Sequence, residues 1–416
     1  MTATALGAQD SLRLGALQAD AARLDPRQQQ IALQAAASAV RLRTIRADAK
    51  PSFAFDAKAQ YQSEVIQLRS APGFPAPVLP HDTWEAALVA RQSLYDPTIG
   101  PRRALEQAQL GESQAQVRTT LYTLRQELND AFFTAVSLQE RIAAIDAAIA
   151  NLAARLREAS RRFDAGAALP GDTATLAATL IQRQQDRLRL TGERAGALAR
   201  LSVLVGRDIP PEAPLAVPDL RARLADVSAM VGELRSRPEY AQFDATRNRL
   251  ATQEASASAQ LKPRVFTFGR FAYGKPGLDI LSADFHGYWL GGVQVQWAPW
   301  NWGSTARDRE VLRIQRQIVT TNEAAFALSV RRGVDQSLAS IARMDSSLAL
   351  DEQVVALREI VVREATAKLR EGAITAAEYV DRDTELLSAR VARIQHRAEV
   401  AHARASLLTL LGVELP

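Results

Sequence analysis

The chain of 416 residues contains no cysteine, and this absence removes several classes of chemistry. Disulfide bridges, cysteine-ligated metal sites and cysteine nucleophiles are excluded, and so is a lipid-anchored amino-terminal cysteine in this form of the chain. Methionine is also scarce, at Met1, Met230 and Met344 only, so the chain has no thioether relay for soft metal ions.

Long apolar runs are missing as well. No stretch of about 18 apolar residues is present, which excludes a membrane-spanning helix. The segment from Met1 to Gln9 lacks the charged start and the apolar core of a signal peptide, although Ala5 to Ala8 has the small-residue spacing that precedes a signal-peptidase cut. We therefore expect a truncated or mis-started precursor whose signal peptide is missing.

The charged and histidine residues indicate neither a nucleic-acid interface nor an active site. The net charge is +5, but the basic residues are almost all arginine and are spread along predicted helices among 46 acidic residues, which is typical of solvated helix faces. The histidines His81, His286, His396 and His402 have no metal-ligand spacing and no nucleophile motif beside them. We predict no enzyme activity, no cofactor and no metal site.

The sequence contains an internal repeat. Pro26 recurs as Pro238, and the later landmark Gly166 recurs as Gly372 with a slightly shorter spacing, as expected when a loop loses residues. The predicted first repeat is 1–214, with strands at about 52–95 and a tip turn at about 163–171, and the second is 215–416, with strands at about 264–298 and a tip turn at about 370–375.

The strongest periodicity lies between Pro101 and Phe163, where apolar residues follow the 3-4 spacing of a coiled-coil seam. The matching stretch, Ser304 to Leu369, has apolar positions that shift phase, which predicts packing on more than one neighbour. Return helices are expected at Asp172–Val205 and Ala376–Leu411. The first seam consists of Leu121, Leu124, Leu128, Ala131, Ala135, Leu138, Ile142, Ile145, Ile149, Leu152, Leu156, Ala159 and Phe163, and the shifted positions are Val311, Ile314, Ile318, Ala325, Leu328, Leu350, Val354, Leu357 and Val361.

Two strand pairs precede the long helices. Alternation with a period of two gives each strand one apolar and one polar face, and Asp56, Lys58 and Arg270 on the polar face need water. A barrel with lipid outside and water inside explains both faces, and the aromatic residues at the strand ends resemble an interfacial girdle. The predicted strands are Phe53–Tyr61, Thr83–Tyr95 (with a bulge), Val265–Tyr273 and His286–Trp297, and the girdle is Tyr61, Trp84, Tyr95, Tyr273, Tyr288, Trp289, Trp297, Trp300 and Trp302.

Four strands cannot close a barrel around water, and an open sheet edge has no hydrogen-bond partner in lipid. Several chains must therefore complete the sheet, and three chains give twelve strands. With these features the sequence resembles the TolC family of outer-membrane efflux ducts over nearly its whole length. The strand-to-helix joints Tyr95 to Gly100 (YDPTIG) and Trp297 to Gly303 (WAPWNWG) support the resemblance. The short carboxyl terminus is most similar to the branch that serves heavy-metal and cation exporters.

The resemblance implies a mainly α fold with a β-barrel part. It implies a homotrimer with a twelve-stranded barrel in the outer membrane of a Gram-negative bacterium and an α-helical tunnel in the periplasm. The implied partners are outer-membrane lipid, a periplasmic adaptor protein and an inner-membrane pump, of the RND type, in a tripartite efflux system. The resemblance also implies that the helical tips contact the adaptor, at Arg162, Gly166, Leu169, Lys368, Gly372 and Thr375.

The resemblance further implies a periplasmic gate. Glu378 and Asp381 match acidic gate positions, where three chains would bring six carboxylates together and favour cations. Asp172 matches a gate residue that links neighbouring protomers. The family has an arginine where this chain has Ile374, and Arg370 is a candidate substitute partner for Asp172. From the residues alone, helix capping by Asp172 and a solvated helix face for the other two acids remain open.

Two other classes of protein stay open from the sequence. The main alternative is a soluble or periplasmic coiled-coil scaffold in which the strand pairs form a small head domain. A periplasmic adaptor, with one helical hairpin and a glycine-rich strand block, fits the two full copies less well. The sequence does not indicate the transported substrate.

Overall fold

A computed structural model describes residues 11–66, 79–167, 169–224, 234–279 and 284–415, so the cleavage-like spacing at Ala5 to Ala8 lies outside the described residues. Seven α-helices and four β-strands lie in these ranges. They are α1 (Leu14–Leu24), α2 (Arg27–Ala47), β1 (Ser52–Tyr61), β2 (Asp82–Tyr95), α3 (Ile99–Asp164), α4 (Pro170–Val205), α5 (Pro238–Ala259), β3 (Arg264–Lys275), β4 (His286–Gln296), α6 (Ser304–Glu371) and α7 (Ala376–Leu410).

The order of helix, two strands, long helix and return helix occurs twice, in α2 to α4 and in α5 to α7. This confirms the predicted mainly α architecture with two tandem copies. The helix α3 begins at Ile99, so Pro101 lies in its first turn. Proline is tolerated there because the N–H groups of the first turn have no intrahelical partner. Among the described helices, none combines the length and the apolar character needed to cross a bilayer.

The chain divides into two compact units. Unit 1 comprises Met1–Gln30, Gln116–Ala241 and Glu323–Pro416. Unit 2 comprises Ile31–Ala115 and Gln242–Asn322, and it contains all four strands.

Unit 2 contains one antiparallel sheet in the strand order β1-β2-β3-β4. The register pairs Phe55 with Leu88, Leu88 with Phe271 and Phe271 with Trp289, so these four large side chains share one face. The register shifts between Ser93 and Tyr95, which is the predicted bulge. The outer strands β1 and β4 each pair on one side only within the described residues.

The two faces of the sheet differ in polarity, as the alternation predicts. On the apolar face the side chains of Phe55 and Phe271 are 72% and 67% exposed, so no residue in the described ranges covers them. The apolar face carries Phe53, Phe55, Ala57, Ala59, Tyr61, Trp84, Ala86, Leu88, Ala90, Phe271, Tyr273, Trp289, Val293 and Val295, with the ion pair of Asp82 and Lys275 at its strand ends. The polar face carries Asp56, Lys58, Gln60, Thr83, Glu85, Arg270, Tyr288, Gln294 and Gln296, together with the apolar side chains of Phe266, Phe268 and Leu290.

The polar face pairs its charges across three strands. The carboxylate of Glu85 accepts hydrogen bonds from Arg270 and from the hydroxyl of Tyr288, and Lys58 lies opposite Glu85 in the register. The assignment of Tyr288 to the aromatic girdle is therefore wrong, because this side chain belongs to the polar face. The other eight girdle residues are more than half exposed.

Unit 1 contains the coiled-coil seam of α3. Its residues from Leu121 to Ala159 are buried or half-buried, whereas Phe163 at the helix end is exposed. Leu128 and Phe132 pack with Leu198 and Leu201 of α4 and with Leu17 of α1 in the largest cluster of the core. Burial of each such side chain contributes roughly 1.5–3 kcal/mol, which holds the two helices of the hairpin together.

The phase-shifted positions of α6 behave differently from the α3 seam. All nine of these positions are exposed in the single chain. Instead, the buried positions of α6 include Val330, Val334 and Ile341, which pack against Leu407 and Leu411 at the end of the chain. The apolar stripe of α6 thus has no partner within the described residues of one chain.

Candidate functional site

The two tip turns of unit 1 have the same backbone design. Gly166 and Gly372 adopt φ values of 71° and 75°, the left-handed region that glycine enters without strain. In each turn the N–H after the glycine donates to a carbonyl five residues earlier, Ala167 to Arg162 at 2.7 Å and Ala373 to Lys368 at 2.8 Å. This hydrogen bond closes a Schellman motif, which ends α3 and α6 sharply and lets the chain reverse direction.

Arg162 connects the first tip to the second. Its Nη1 donates to the carbonyl oxygen of Leu369 at 2.9 Å, and its Nη2 donates to the carbonyl oxygen of Ala167 at 3.4 Å. A guanidinium group has several donors in a planar fork, so one side chain satisfies carbonyls from both turns. The residue predicted as an adaptor contact is therefore also a link between the two hairpins.

Asp172 makes the second connection. Its Oδ1 accepts from the backbone N–H of Ala376 at 3.0 Å. Ala376 is the first residue of α7, so the carboxylate of the first hairpin caps the return helix of the second. Arg370, the suggested partner of Asp172, instead has its Nε 3.5 Å from Oε1 of Glu158 in the same chain.

The second turn has its own cap. Glu378 and Thr375 form a reciprocal capping box, in which the N–H of Glu378 donates to the Thr375 hydroxyl at 3.2 Å and the N–H of Thr375 donates to the Glu378 carboxylate at 3.1 Å. Glu378 therefore caps α7 while its side chain stays exposed. Asp381, one turn further along, is exposed as well.

The remaining predicted tip residues lie at the surface. Leu169 is 70% exposed. Lys368 donates to Glu364 one helical turn earlier at 2.7 Å, and this hydrogen bond raises the pKa of Lys368. A cavity of about 460 Å³ is lined by residues of both tips, among them Arg162, Leu169 and Asp172.

Sequence reasoning missed a buried carboxylate near the tips. Asp383 on α7 is only 7% exposed, and burial raises its pKa, an effect that the nearby guanidinium groups of Arg183, Arg390 and Arg155 offset only in part. The buried Tyr379 lies one turn before it, and burial also raises the pKa of this phenol. A signal was present, because Asp383 occupies an apolar position in the 3-4 spacing of α7.

The pH dependence of stability tests the burial of Asp383. Its pKa is higher in the native than in the unfolded state, so the native state binds more protons between the two pKa values, and stability falls as pH rises through that window. Each pH unit of the window corresponds to about 1.4 kcal/mol. We expect the thermal unfolding midpoint of Asp383→Asn, measured from pH 4 to pH 8, to depend less steeply on pH than that of the wild type.

The control is Glu399→Gln, which removes a carboxylate from the exposed side of the same helix. This variant should keep the slope of the wild type. An unchanged slope in Asp383→Asn would show that Asp383 does not contribute to the pH dependence.

No family model matches the sequence, and no curated protein matches it. Solved structures with the same architecture do match. CusC is 15% identical with a TM-score of 0.68, covering 99% of this chain and 95% of that chain. The outer membrane protein VceC of Vibrio cholerae is 16% identical with a TM-score of 0.66, covering 97% of each chain. The open MtrE channel of Neisseria gonorrhoeae is 18% identical with a TM-score of 0.66, covering 97% of this chain and 89% of that chain.

These neighbours define the fold class. The chain has the fold of outer-membrane channel proteins, which confirms the resemblance to the TolC-like channels at the level of the fold.

Proposed function

We propose that three copies of this chain form a passive exit duct in the outer membrane, as part of a tripartite efflux system of a Gram-negative bacterium. The observation that carries this proposal is the sheet of unit 2. It has one exposed apolar face, one polar face with paired charges, and two outer strands that, among the residues the structure describes, each pair on one side only. Such a sheet is suited to lipid on one side and water on the other.

The unpaired strand edges support assembly. Each backbone N–H or C=O that enters lipid without a partner costs several kcal/mol, so the edges of β1 and β4 must be covered there. Pairing the β4 edge of one copy with the β1 edge of the next covers both. Three copies of four strands give a twelve-stranded barrel, a size within the range of outer-membrane barrels.

The apolar stripe of α6 supports the same assembly. Leu350, Val354 and Leu357 are 61%, 45% and 64% exposed and follow the spacing of one helix face. A second copy of this chain is the occupant that the trimer would supply. A soluble scaffold protein would leave both this stripe and the aromatic face of the sheet in water, which disfavours that alternative.

We propose that the helical tips form the periplasmic gate and the surface that contacts the adaptor. The proposed adaptor contacts are Arg162, Gly166, Leu169, Lys368, Gly372 and Thr375, and the proposed gate residues are Asp172, Glu378, Asp381 and Arg370. In this proposal the channel opens when adaptor contact untwists the tip helices, and the adaptor is fed by an inner-membrane pump. The duct has no catalytic step, and the pump and adaptor select the substrate.

Ion selectivity tests the duct and its gate together. We expect the purified protein to form channels in planar bilayers that prefer potassium to chloride, because exposed carboxylates near a narrow opening attract cations. The double variant Glu378→Gln and Asp381→Asn removes both charges, while glutamine preserves the capping box. Its potassium-to-chloride permeability ratio should move towards one.

Asp208→Asn, which removes an exposed acid after the end of α4 and away from the tips, is the control and should keep the selectivity of the wild type. A protein that dissolves without detergent and forms no channels would rule out the duct. Channels with unchanged selectivity in the double variant would remove Glu378 and Asp381 from the gate but leave the duct intact.

A further inference from the structure

One carboxylate in unit 2 is shared by three arginines. Glu254 on α5 is contacted by Arg309 at 3.4 Å, by Arg313 at 2.9 Å and by Arg316 at 2.5 Å, all from α6. The spacings of four and three residues place the three guanidinium groups on one face of α6. The cluster therefore carries two more positive than negative charges.

The surplus charge is not neutralised elsewhere in the described part of the chain. The structure gives these three arginines no other carboxylate partner there. The side chains of Arg309, Arg313 and Arg316 are 37%, 56% and 34% exposed, although the Nε atoms of Arg309 and Arg316 are buried. Three partly exposed guanidinium groups thus share one carboxylate and remain accessible from solvent.

Two other arginines of unit 2 each pair with a single carboxylate. Arg249 pairs with Glu112 at 2.6 Å, and Arg41 pairs with Glu106 at 2.7 Å. These pairs link helices without surplus charge, which is sufficient for a structural role. The stripe on α6 therefore contains two cations more than the link to α5 requires.

We propose that Arg309, Arg313 and Arg316 form a binding site for a phosphate group, with Glu254 holding the guanidinium groups in place. Guanidinium forks match the oxygens of phosphate in pairs, and these charge-assisted hydrogen bonds are about twice as strong as neutral ones. Two surplus positive charges suit a phosphate group of one or two negative charges. Glu254 repels the same ligand, so the carboxylate limits the affinity of the site.

The phosphate group has two possible sources, a phospholipid headgroup and a soluble phosphate. The lipid source rests on the proposed function. Trp300 and Trp302 are 75% and 82% exposed just before α6 begins, and exposed tryptophans mark the membrane interface. Arg309 lies five residues after Ser304, at roughly 8 Å along the helix axis, which brings its long side chain within reach of a headgroup.

Binding experiments on the full-length protein in detergent test the site and separate the sources. Inorganic phosphate is titrated at constant ionic strength, and mixed micelles that contain phosphatidylglycerol are compared with mixed micelles that contain phosphatidylcholine. We expect Arg313→Gln to raise the dissociation constant about tenfold or more, as the loss of one charge-assisted hydrogen bond implies. Glu254→Gln should instead strengthen binding several-fold, because it removes the competing carboxylate.

Because Arg313→Gln should lower the affinity and Glu254→Gln should raise it, the two variants distinguish a ligand-binding site from a purely structural ion-pair cluster. Arg249→Gln, which breaks the balanced pair with Glu112, is the control and should leave both titrations unchanged. Binding of inorganic phosphate with the expected opposite effects supports a site for soluble phosphate, and this test stays valid if the membrane duct is wrong. A preference for phosphatidylglycerol alone, with the same opposite effects, supports a headgroup site.

Wild-type protein that binds neither probe would overturn the proposal. So would affinities that stay the same in Arg313→Gln and Glu254→Gln. Thermal unfolding of each variant, recorded in the same buffer, establishes that the titrated protein is folded.

Discussion

Replacing Phe55 by arginine should prevent stable assembly of the protein in membranes. Phe55 lies in the middle of β1 on the apolar face and is 72% exposed. A lipid-facing arginine at mid-bilayer depth costs about 2–4 kcal/mol, and a trimer carries the substitution three times. We expect the yield of detergent-stable trimer after refolding into liposomes, measured by flotation and gel mobility, to fall by at least tenfold.

The matched control is Ala54→Arg. Ala54 precedes Phe55 in the same strand and is also exposed, but its side chain points to the polar face. In a water-filled barrel this arginine stays hydrated, so we expect nearly normal assembly. Equal tolerance of both substitutions would show that lipid does not contact the apolar face.

The sequence predicted those parts of the fold that depend on local periodicity. The alternation around Phe55 identified the strand and the side on which each residue lies. The seam around Leu128 identified α3, and Gly166 and Gly372 identified the turns because their backbone conformation favours glycine. In each case a few neighbouring residues determine the outcome.

Contacts between distant segments were not predictable in the same way. Tyr288 is an aromatic residue near a strand end, as expected of a girdle residue, but the register of β3 and β4 places it beside Glu85. The shifted apolar pattern of α6 predicted neighbours but could not show that the stripe faces away from its own chain. Register and the choice of packing partner depend on the whole sheet or bundle, and neither is encoded by a single segment.

The same limit applies to the candidate site. The resemblance to the family gave Arg162 and Asp172 separate roles, Arg162 at the adaptor surface and Asp172 at the gate. The structure brings both to the backbone of the second hairpin, where Arg162 donates to Leu369 and Asp172 accepts from Ala376. Every residue type offers the same backbone N–H or C=O, apart from proline, so a side chain that bonds to backbone does not require a particular residue at its partner. The sequence therefore holds no signal for the pairing.

These two bonds lead to a prediction about gating, which rests on the proposed duct. Each joins a charged side chain to a backbone group of the other hairpin, and one such hydrogen bond contributes about 1.5–3 kcal/mol. If the tips must separate for the duct to open, Arg162→Ala should shift the equilibrium towards the open state by about 10- to 100-fold. Single-channel recordings in planar bilayers measure the open fraction directly.

Asp172 provides a graded version of the same test. Asp172→Ala removes the acceptor for the N–H of Ala376, whereas Asp172→Asn keeps an oxygen acceptor without the charge, so its effect should be intermediate. Arg161→Ala, an exposed neighbour of Arg162, is the control for loss of a basic residue at the tip. If Arg162→Ala and both Asp172 variants open as rarely as the wild type, the two hairpins of one chain move together during opening, and the gate must lie between chains instead.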